Sequence, residues 1–155
     1  MSDDAWIWNG QDEDDEEPVV EPGLLDEVAM EAYKSGQCLA LALALHDRTG
    51  WPVMLLVRGK KRSLQKVKMD DIIHALVRAP DGYDVDIYGD NEPEVLEEEA
   101  TDLHGRHTWL EITERGEIEK WLVAHPAYAA GLDEALARTF VELVLARRAN
   151  IFADQ

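Results

Sequence analysis

A stretch of alternating leucine and alanine, Leu39 to Leu45, constrains the fold more than any other part of the chain. The alternation has the period of a β-strand, but leucine and alanine are strong helix formers and poor strand formers, so the stretch is predicted to be a helix. A helix that is apolar on every side must be buried. Thr49-Gly50 ends it in the manner of a glycine C-cap. We therefore expect a helix at the centre of the fold.

Apolar runs with strand character follow this helix, separated by turn signals. The turn sequence Ala79-Pro80-Asp81-Gly82 joins two of them and predicts an antiparallel hairpin. Gly89-Asp90-Asn91 is expected to break the second strand of that hairpin, and the acid-rich residues 92–102 to form a short helix or a loop. The predicted strands are residues 53–57, 72–78, 83–88 and 107–113.

Amphipathic helices are predicted on both sides of the strands. Residues 24–34 place apolar side chains at helical spacing, and helices are expected again at about 114–124 and 131–149. The last of these is expected to present Leu132, Leu136, Phe140, Leu143 and Val144 on one side. The predicted class is α+β, with a buried helix near the N-terminus packed on a small antiparallel sheet, followed by C-terminal helices. A length of 155 residues suits one such domain, over residues 24–155.

The formal net charge of −18 is concentrated at the N-terminus. Residues 1–22 hold nine acids and no Lys or Arg. Such a segment buries too little apolar surface to offset its chain entropy, so residues 1–23 are predicted to be a disordered acidic tail. Trp6 and Trp8 stand apart from this composition, and they leave open a docking role on the body of the protein or on a partner.

Composition also bounds the partners. Residues 58–68 carry six basic side chains and no acid, which fits either a solvated connection between strands or a seat for the tail or another anionic partner. Nucleic acid is not expected as a partner of so acidic a chain, which shows no nucleic-acid-binding motif. Without an apolar run of about 18 residues or a secretion signal, we expect a soluble, cytoplasmic protein with no membrane partner. The pair His104 and His107 is too small a set for a metal site, so no metal or cofactor is expected.

Three residue types suited to nucleophilic acyl chemistry occur in order along the chain: Cys38, His74 and Asp86. Cys38 is the only cysteine, and it begins the buried helix, where the backbone N–H groups and the helix dipole favour a thiolate. His74 and Asp86 fall on the two strands of the predicted hairpin and can lie opposite one another. Asp84 shares a strand face with Asp86, but the apolar neighbours of Asp86 favour it as the shielded carboxylate. Each residue also has a structural interpretation, since a lone cysteine is commonly a core residue.

These residues resemble the papain-like and transglutaminase-like cysteine fold, including its compact bacterial and phage versions. The resemblance covers about residues 30 to 90 and is carried by Gly36-Gln37-Cys38 at the start of a buried helix, by His74 opening the sequence His-Ala-Leu-Val-Arg-Ala-Pro-Asp-Gly, and by an aspartate on the next strand. It implies Cys38 as nucleophile, His74 as general base and then acid, and Asp86 as the orienting group.

The reactions implied by the resemblance are peptide or isopeptide cleavage, amide hydrolysis, or acyl transfer to an amine, on a protein or peptide substrate. Fold-level analogy does not choose among them. Many papain-like enzymes place a glutamine several residues before the cysteine to stabilise the oxyanion, whereas here Gln37 is the immediate neighbour. This departure leaves the backbone N–H of Cys38 as the expected oxyanion donor, with a further donor unassigned.

A second function class also fits the composition. The sequence pI of about 4.5 and the acidic run of residues 12–17 are typical of a non-catalytic interaction protein, such as one encoded by a phage, that blocks a basic surface of a host factor. In that case Cys38 has no chemical role, and the acidic tail carries the function.

Overall fold

The computed structural model describes residues 19–34 and 36–153. The tail prediction for residues 1–23 and the docking role of Trp6 and Trp8 therefore fall largely outside the described residues. Six α-helices and five strands are formed in the described part of the chain: α1 Glu27–Lys34, α2 Cys38–Thr49, β1 Val53–Arg58, β2 Ile72–Arg78, β3 Asp84–Asp86, β4 Gly89–Asn91, α3 Pro93–His104, β5 His107–Ile112, α4 Arg115–Ala124, α5 Pro126–Ala130 and α6 Glu134–Ala153.

The five strands form one antiparallel sheet in the order β4-β3-β2-β1-β5, and the predicted α+β class is confirmed. β1 lies between β2 and β5, and its Leu55 is opposite Ala75 on one side and Leu110 on the other. Of the basic residues 58–68, Arg58 ends β1 and the others lie in the connection between β1 and β2, where Lys61 pairs with Asp71 at 3.6 Å.

α2 is the centre of the core, as the leucine and alanine stretch predicts. All its residues from Cys38 to Leu45 are buried, and it packs against β2 on one side and α6 on the other. It ends where predicted, because Gly50 adopts the left-handed conformation (φ +78°) and its N–H donates to the carbonyl of His46 at 2.7 Å. The segment is therefore a helix although its alternation suggests a strand, because a helix that is buried on every side can be apolar on every side.

The hairpin after β2 is tighter than predicted. Its second strand extends only over Asp84–Asp86 instead of residues 83–88, because Ile87 and Tyr88 form a turn. Gly89-Asp90-Asn91 was predicted to break this strand; the strand already ends at Asp86, and these three residues form a further strand, β4, which pairs with β3. Gly89 makes this possible with a φ of +99°, a conformation that residues with side chains rarely adopt.

The helices differ from prediction mainly at their ends. α1 begins at Glu27 and not at residue 24, because Asp26 accepts the N–H of Ala29 at 3.0 Å and caps the helix there. The acid-rich segment is a full helix, α3, and the short α5 was not predicted. Within residues 134–148 of α6, the buried residues are Ala137, Phe140, Val141 and Val144, whereas Leu143 is exposed. Within residues 19–34 and 36–153, no helix is both long and apolar enough to cross a membrane.

Candidate active site

Cys38 is the first residue of α2, and its side chain is almost fully covered, at 2% exposure. The sulfur interacts with the imidazole of His74, which approaches from β2. Within β2, β3 pairs only with Val77 and Arg78, so the His74 end of β2 extends beyond it. The shortness of β3 thus fits the approach of the imidazole to α2.

Both ring nitrogens of His74 face hydrogen-bond acceptors. Nε2 lies 3.0 Å from Oδ2 of Asp86, and Nδ1 lies 3.1 Å from the backbone carbonyl of Lys34. A carbonyl oxygen and a carboxylate only accept hydrogen bonds, so both contacts are satisfied together only when both nitrogens carry a proton. This geometry favours the imidazolium form of His74.

The electrostatic surroundings of His74 agree with that assignment. Burial by itself lowers the pKa of His74, but hydrogen bonds to Asp86 and to Cys38, with the negative charges of both groups, outweigh burial and raise the pKa from 6.5 to about 10. His74 is therefore a cation at neutral pH. A cation beside the sulfur stabilises a negative charge on it, as nucleophilic thiol chemistry requires.

The carboxylate of Asp86 is held from the side away from His74. Its Oδ1 accepts the backbone N–H of Tyr88 at 2.9 Å and the side-chain amide of Asn91 at 3.0 Å, which leaves Oδ2 for the imidazole. Asn91 is a member of this group that sequence reasoning missed. The sequence feature that could have indicated the position of Asn91 is Gly89, because the tight turn that this glycine permits brings β4 back beside β3.

Asp84, the alternative to Asp86, has a different partner. Its carboxylate is fully buried and accepts two hydrogen bonds from Arg78, at 2.7 Å from Nε and 3.1 Å from Nη2. Arg78 is also its partner in the β2–β3 ladder. The structure thus brings Cys38, His74 and Asp86 together and assigns Asp84 to a separate ion pair.

Gln37 does not face the cysteine. Its side-chain amide donates to the carbonyl of Gly131 at 2.5 Å, and its oxygen accepts the N–H of Asp133 at 2.9 Å. Both ends of the side chain are therefore used to hold the start of α2 against the turn between α5 and α6. Gln37 positions the helix that carries Cys38, and it is not arranged as an oxyanion donor.

Replacement of Gln37 by alanine is expected to lower the free energy of unfolding by roughly 1–2 kcal/mol, because two long-range hydrogen bonds are lost. Urea denaturation measures the change, and the exposed Gln65→Ala is the matched control, with an expected effect within about 0.5 kcal/mol. Full stability together with a large loss of Cys38 reactivity would instead indicate a direct chemical role for Gln37.

A cavity of about 680 Å³ adjoins the site, and His74, Asp86 and Asn91 form part of its wall. The rest is mainly apolar, with charged groups from α1 and α3 among the lining residues. The sulfur of Cys38 is not part of the lining. A molecule in the cavity would therefore contact the imidazole of His74 and the carboxylate of Asp86, and not the sulfur. Its apolar lining residues are Leu56, Ile73, Leu96, Ala100, Leu103 and Trp109.

The raised pKa of His74 has a consequence for stability. Between pH 6.5 and about 10 the folded state holds a proton on His74 that the unfolded state has released. This stabilisation is complete below about pH 6.5 and is lost as the pH rises through about 10, so the contribution of His74 to the free energy of unfolding is expected to fall across that range. Urea denaturation at a series of pH values tests this, with His74→Gln as the reference. A parallel decline in both proteins would contradict the assignment.

Comparisons of the chain with models of known families, with curated proteins and with solved structures found no match. The case for a function therefore rests on the geometry of the site. Among residues 19–34 and 36–153, no group of three or more His, Cys, Asp and Glu side chains is placed to hold a metal ion.

Proposed function

We propose that this protein is a papain-like cysteine hydrolase or acyltransferase that acts through a thioester on Cys38, with a peptide, isopeptide or other amide as substrate. The observation that carries the proposal is that the imidazole of His74 interacts with the sulfur of Cys38 and lies 3.0 Å from the carboxylate of Asp86. These three residues lie on a helix and two strands, so their meeting does not follow from sequence proximity.

In the proposed reaction the sulfur of Cys38 attacks the substrate carbonyl carbon, and a carbon–sulfur bond forms. The carbon–nitrogen bond then breaks, and His74 donates its proton to the departing amine. In the second half, neutral His74 accepts a proton from water or from an amine acceptor, which attacks the thioester and restores the sulfur anion. Asp86 keeps the imidazole oriented and stabilises its charged form.

The start of α2 contributes to the same chemistry. N–H groups in the first turn of a helix point toward its N-terminal end and favour negative charge there. Because Cys38 opens the helix, both the sulfur anion and the oxyanion formed at the attacked carbonyl come close to these groups. The buried position of Cys38 also means that substrate reaches the sulfur only when the covering groups move apart.

The alternative, an acidic protein that blocks a basic surface, depends on residues 12–17. These lie outside the described residues, and no contact in the described part of the chain favours it. The two classes separate with one substitution, because Cys38→Ser abolishes the proposed chemistry and leaves a charge-based interaction intact.

The proposed function is tested by trapping the thioester. p-Nitrophenyl acetate acylates reactive thiols, so brief incubation at pH 7 is expected to place one acetyl group on the tryptic peptide of residues 35–48, detected by mass spectrometry and removed by hydroxylamine. Cys38→Ser should carry no such group, and His74→Ala should acquire it much more slowly. Equal acetylation of the native protein and the His74 variant, or no acetylation of the native protein, would overturn the proposal.

A further inference from the structure

The cavity lies on one particular side of the candidate catalytic group. His74 and Asp86 contribute to its wall, whereas Cys38 does not. A substrate group in this cavity would therefore contact the residue that transfers protons and lie farther from the nucleophile. The position of the cavity therefore distinguishes the amine half of an amide substrate from its acyl half.

The departing amine must lie next to the general acid, because it takes its proton from that residue. The same place is occupied by an amine that attacks the thioester in the reverse direction. We infer that the cavity beside His74 binds the amine portion of the substrate and selects a large apolar side chain on the residue that follows the scissile amide. This inference rests on the proposed function and adds the substrate preference of the same site.

The lining of the cavity supports an apolar occupant. Its walls come from β1, β2, β5 and α3, and they include the side chains of Leu56, Leu96 and Trp109. Leu103 of α3 is 75% exposed and lines the same space, with the exposed ring of Tyr88. Exposed apolar groups beside a cavity are typical of a binding surface, since a bound apolar side chain removes them from water.

Charge is not expected to decide the preference. Lys34 and His104 lie on the lining together with Glu99 and Asp102, so acidic and basic groups are both present. None of these four residues is buried, and all can remain hydrated when the cavity is filled. An acidic or basic side chain in the cavity would lose water against the apolar walls, and the exposed, hydrated charges of the lining would compensate only weakly, so it should bind less well.

The bond changes are those of ordinary acyl transfer. The lone pair of the amine nitrogen attacks the thioester carbon, the new carbon–nitrogen bond forms, and the carbon–sulfur bond breaks. Neutral His74 takes the proton that the amine loses, so sulfur anion and imidazolium are both restored. No oxidant, reductant or metal is needed.

The test is partitioning of the acetyl-enzyme between water and added amines. The native protein is acetylated with p-nitrophenyl acetate, and acetylated products are quantified with leucinamide, phenylalaninamide, glycinamide or glutamic acid amide present. Leucinamide and phenylalaninamide are expected to capture the acetyl group about 10-fold or more better than glycinamide, because the cavity removes their side chains from water. Glutamic acid amide should be no better than glycinamide.

Two variants on one helix locate the preference. Leu103→Ser alters the cavity wall and is expected to lower the ratio of capture by leucinamide to capture by glycinamide several-fold. Val95→Ser changes a 48% exposed residue of α3 that does not line the cavity, and it should keep the native preference. Both positions are exposed, so neither substitution should prevent folding.

A binding measurement that needs no catalysis tests the apolar preference of the cavity separately from the thioester chemistry. In Cys38→Ser, leucinamide is expected to shift the indole N–H resonance of Trp109, which lines the cavity, and glycinamide is not. Equal capture of all four amines, or an equal effect of the two serine variants, would overturn the apolar preference while the thioester stands. Absence of any acetyl-Cys38 would overturn the proposed function, and absence of the Trp109 shift would overturn the binding inference independently.

Discussion

Replacement of His74 by alanine is expected to slow alkylation of Cys38 by iodoacetamide at pH 6 by a factor on the order of 10². The substitution removes the positively charged imidazole beside the sulfur, and negative charge that develops on the sulfur during the reaction then has no cation next to it. The measurement is the second-order rate constant for labelling of the single cysteine, followed by mass spectrometry of the intact protein.

The matched control for this substitution is His107→Ala. His107 also lies on the sheet, and a hydrogen bond to Glu97, helped by one to the backbone of Gly105, raises its pKa, but its partner is on α3 and not on α2. The control should therefore label at the native rate. Because Cys38 is buried, a faster reaction of the His74 variant would mean that the imidazole only shields the sulfur, which would contradict an activating role.

Replacement of Asp86 by asparagine is expected to lower the rate of thioester formation by a factor on the order of 10² while Cys38 and His74 remain in place. The asparagine carries no negative charge, so the imidazolium loses the stabilisation that the carboxylate supplies through Oδ2. The rate of acetylation by p-nitrophenyl acetate, measured from pH 5 to 9, gives both the loss and the change in pH profile.

Asp84→Asn is the matched control, because it makes the same change two residues away on the same face of β3. It weakens the buried ion pair with Arg78 and is expected to cost about 1–3 kcal/mol of stability. Its acetylation rate should stay near the native value in the folded protein. A stability loss without a rate loss for Asp86→Asn would mean that Asp86, like Asp84, serves only the fold.

The residue types of the site could be predicted from the sequence because each belongs to a strong local signal. Cys38 opens a helix whose composition requires burial, and His74 begins a strand followed by a clear turn sequence. The length of β2 was predicted to the residue, since apolar residues run up to Arg78 and the turn begins directly after it. These local patterns place a thiol and an imidazole on neighbouring elements.

Other parts of the site depend on contacts that no local pattern encodes. Asn91 reaches Asp86 only because Gly89 permits a second tight turn, and the same sequence was interpreted as a strand break. Gln37 bonds to residues more than 90 positions away, in a turn next to a helix that was not predicted. Asp86 was preferred to Asp84 because of its apolar neighbours, but both carboxylates are buried, and what separates them is the ion pair of Asp84 with Arg78.

The protonation state of His74 is the most direct test of the central claim that these three residues form one charged unit. In ¹⁵N-labelled protein, both ring nitrogens of His74 are expected to carry protons at pH 8, and the ring should titrate near pH 10. Cys38→Ser and Asp86→Asn should each lower that pKa, because each removes a negative partner. A neutral imidazole at pH 8 that titrates near 6.5 in the native protein would contradict the account.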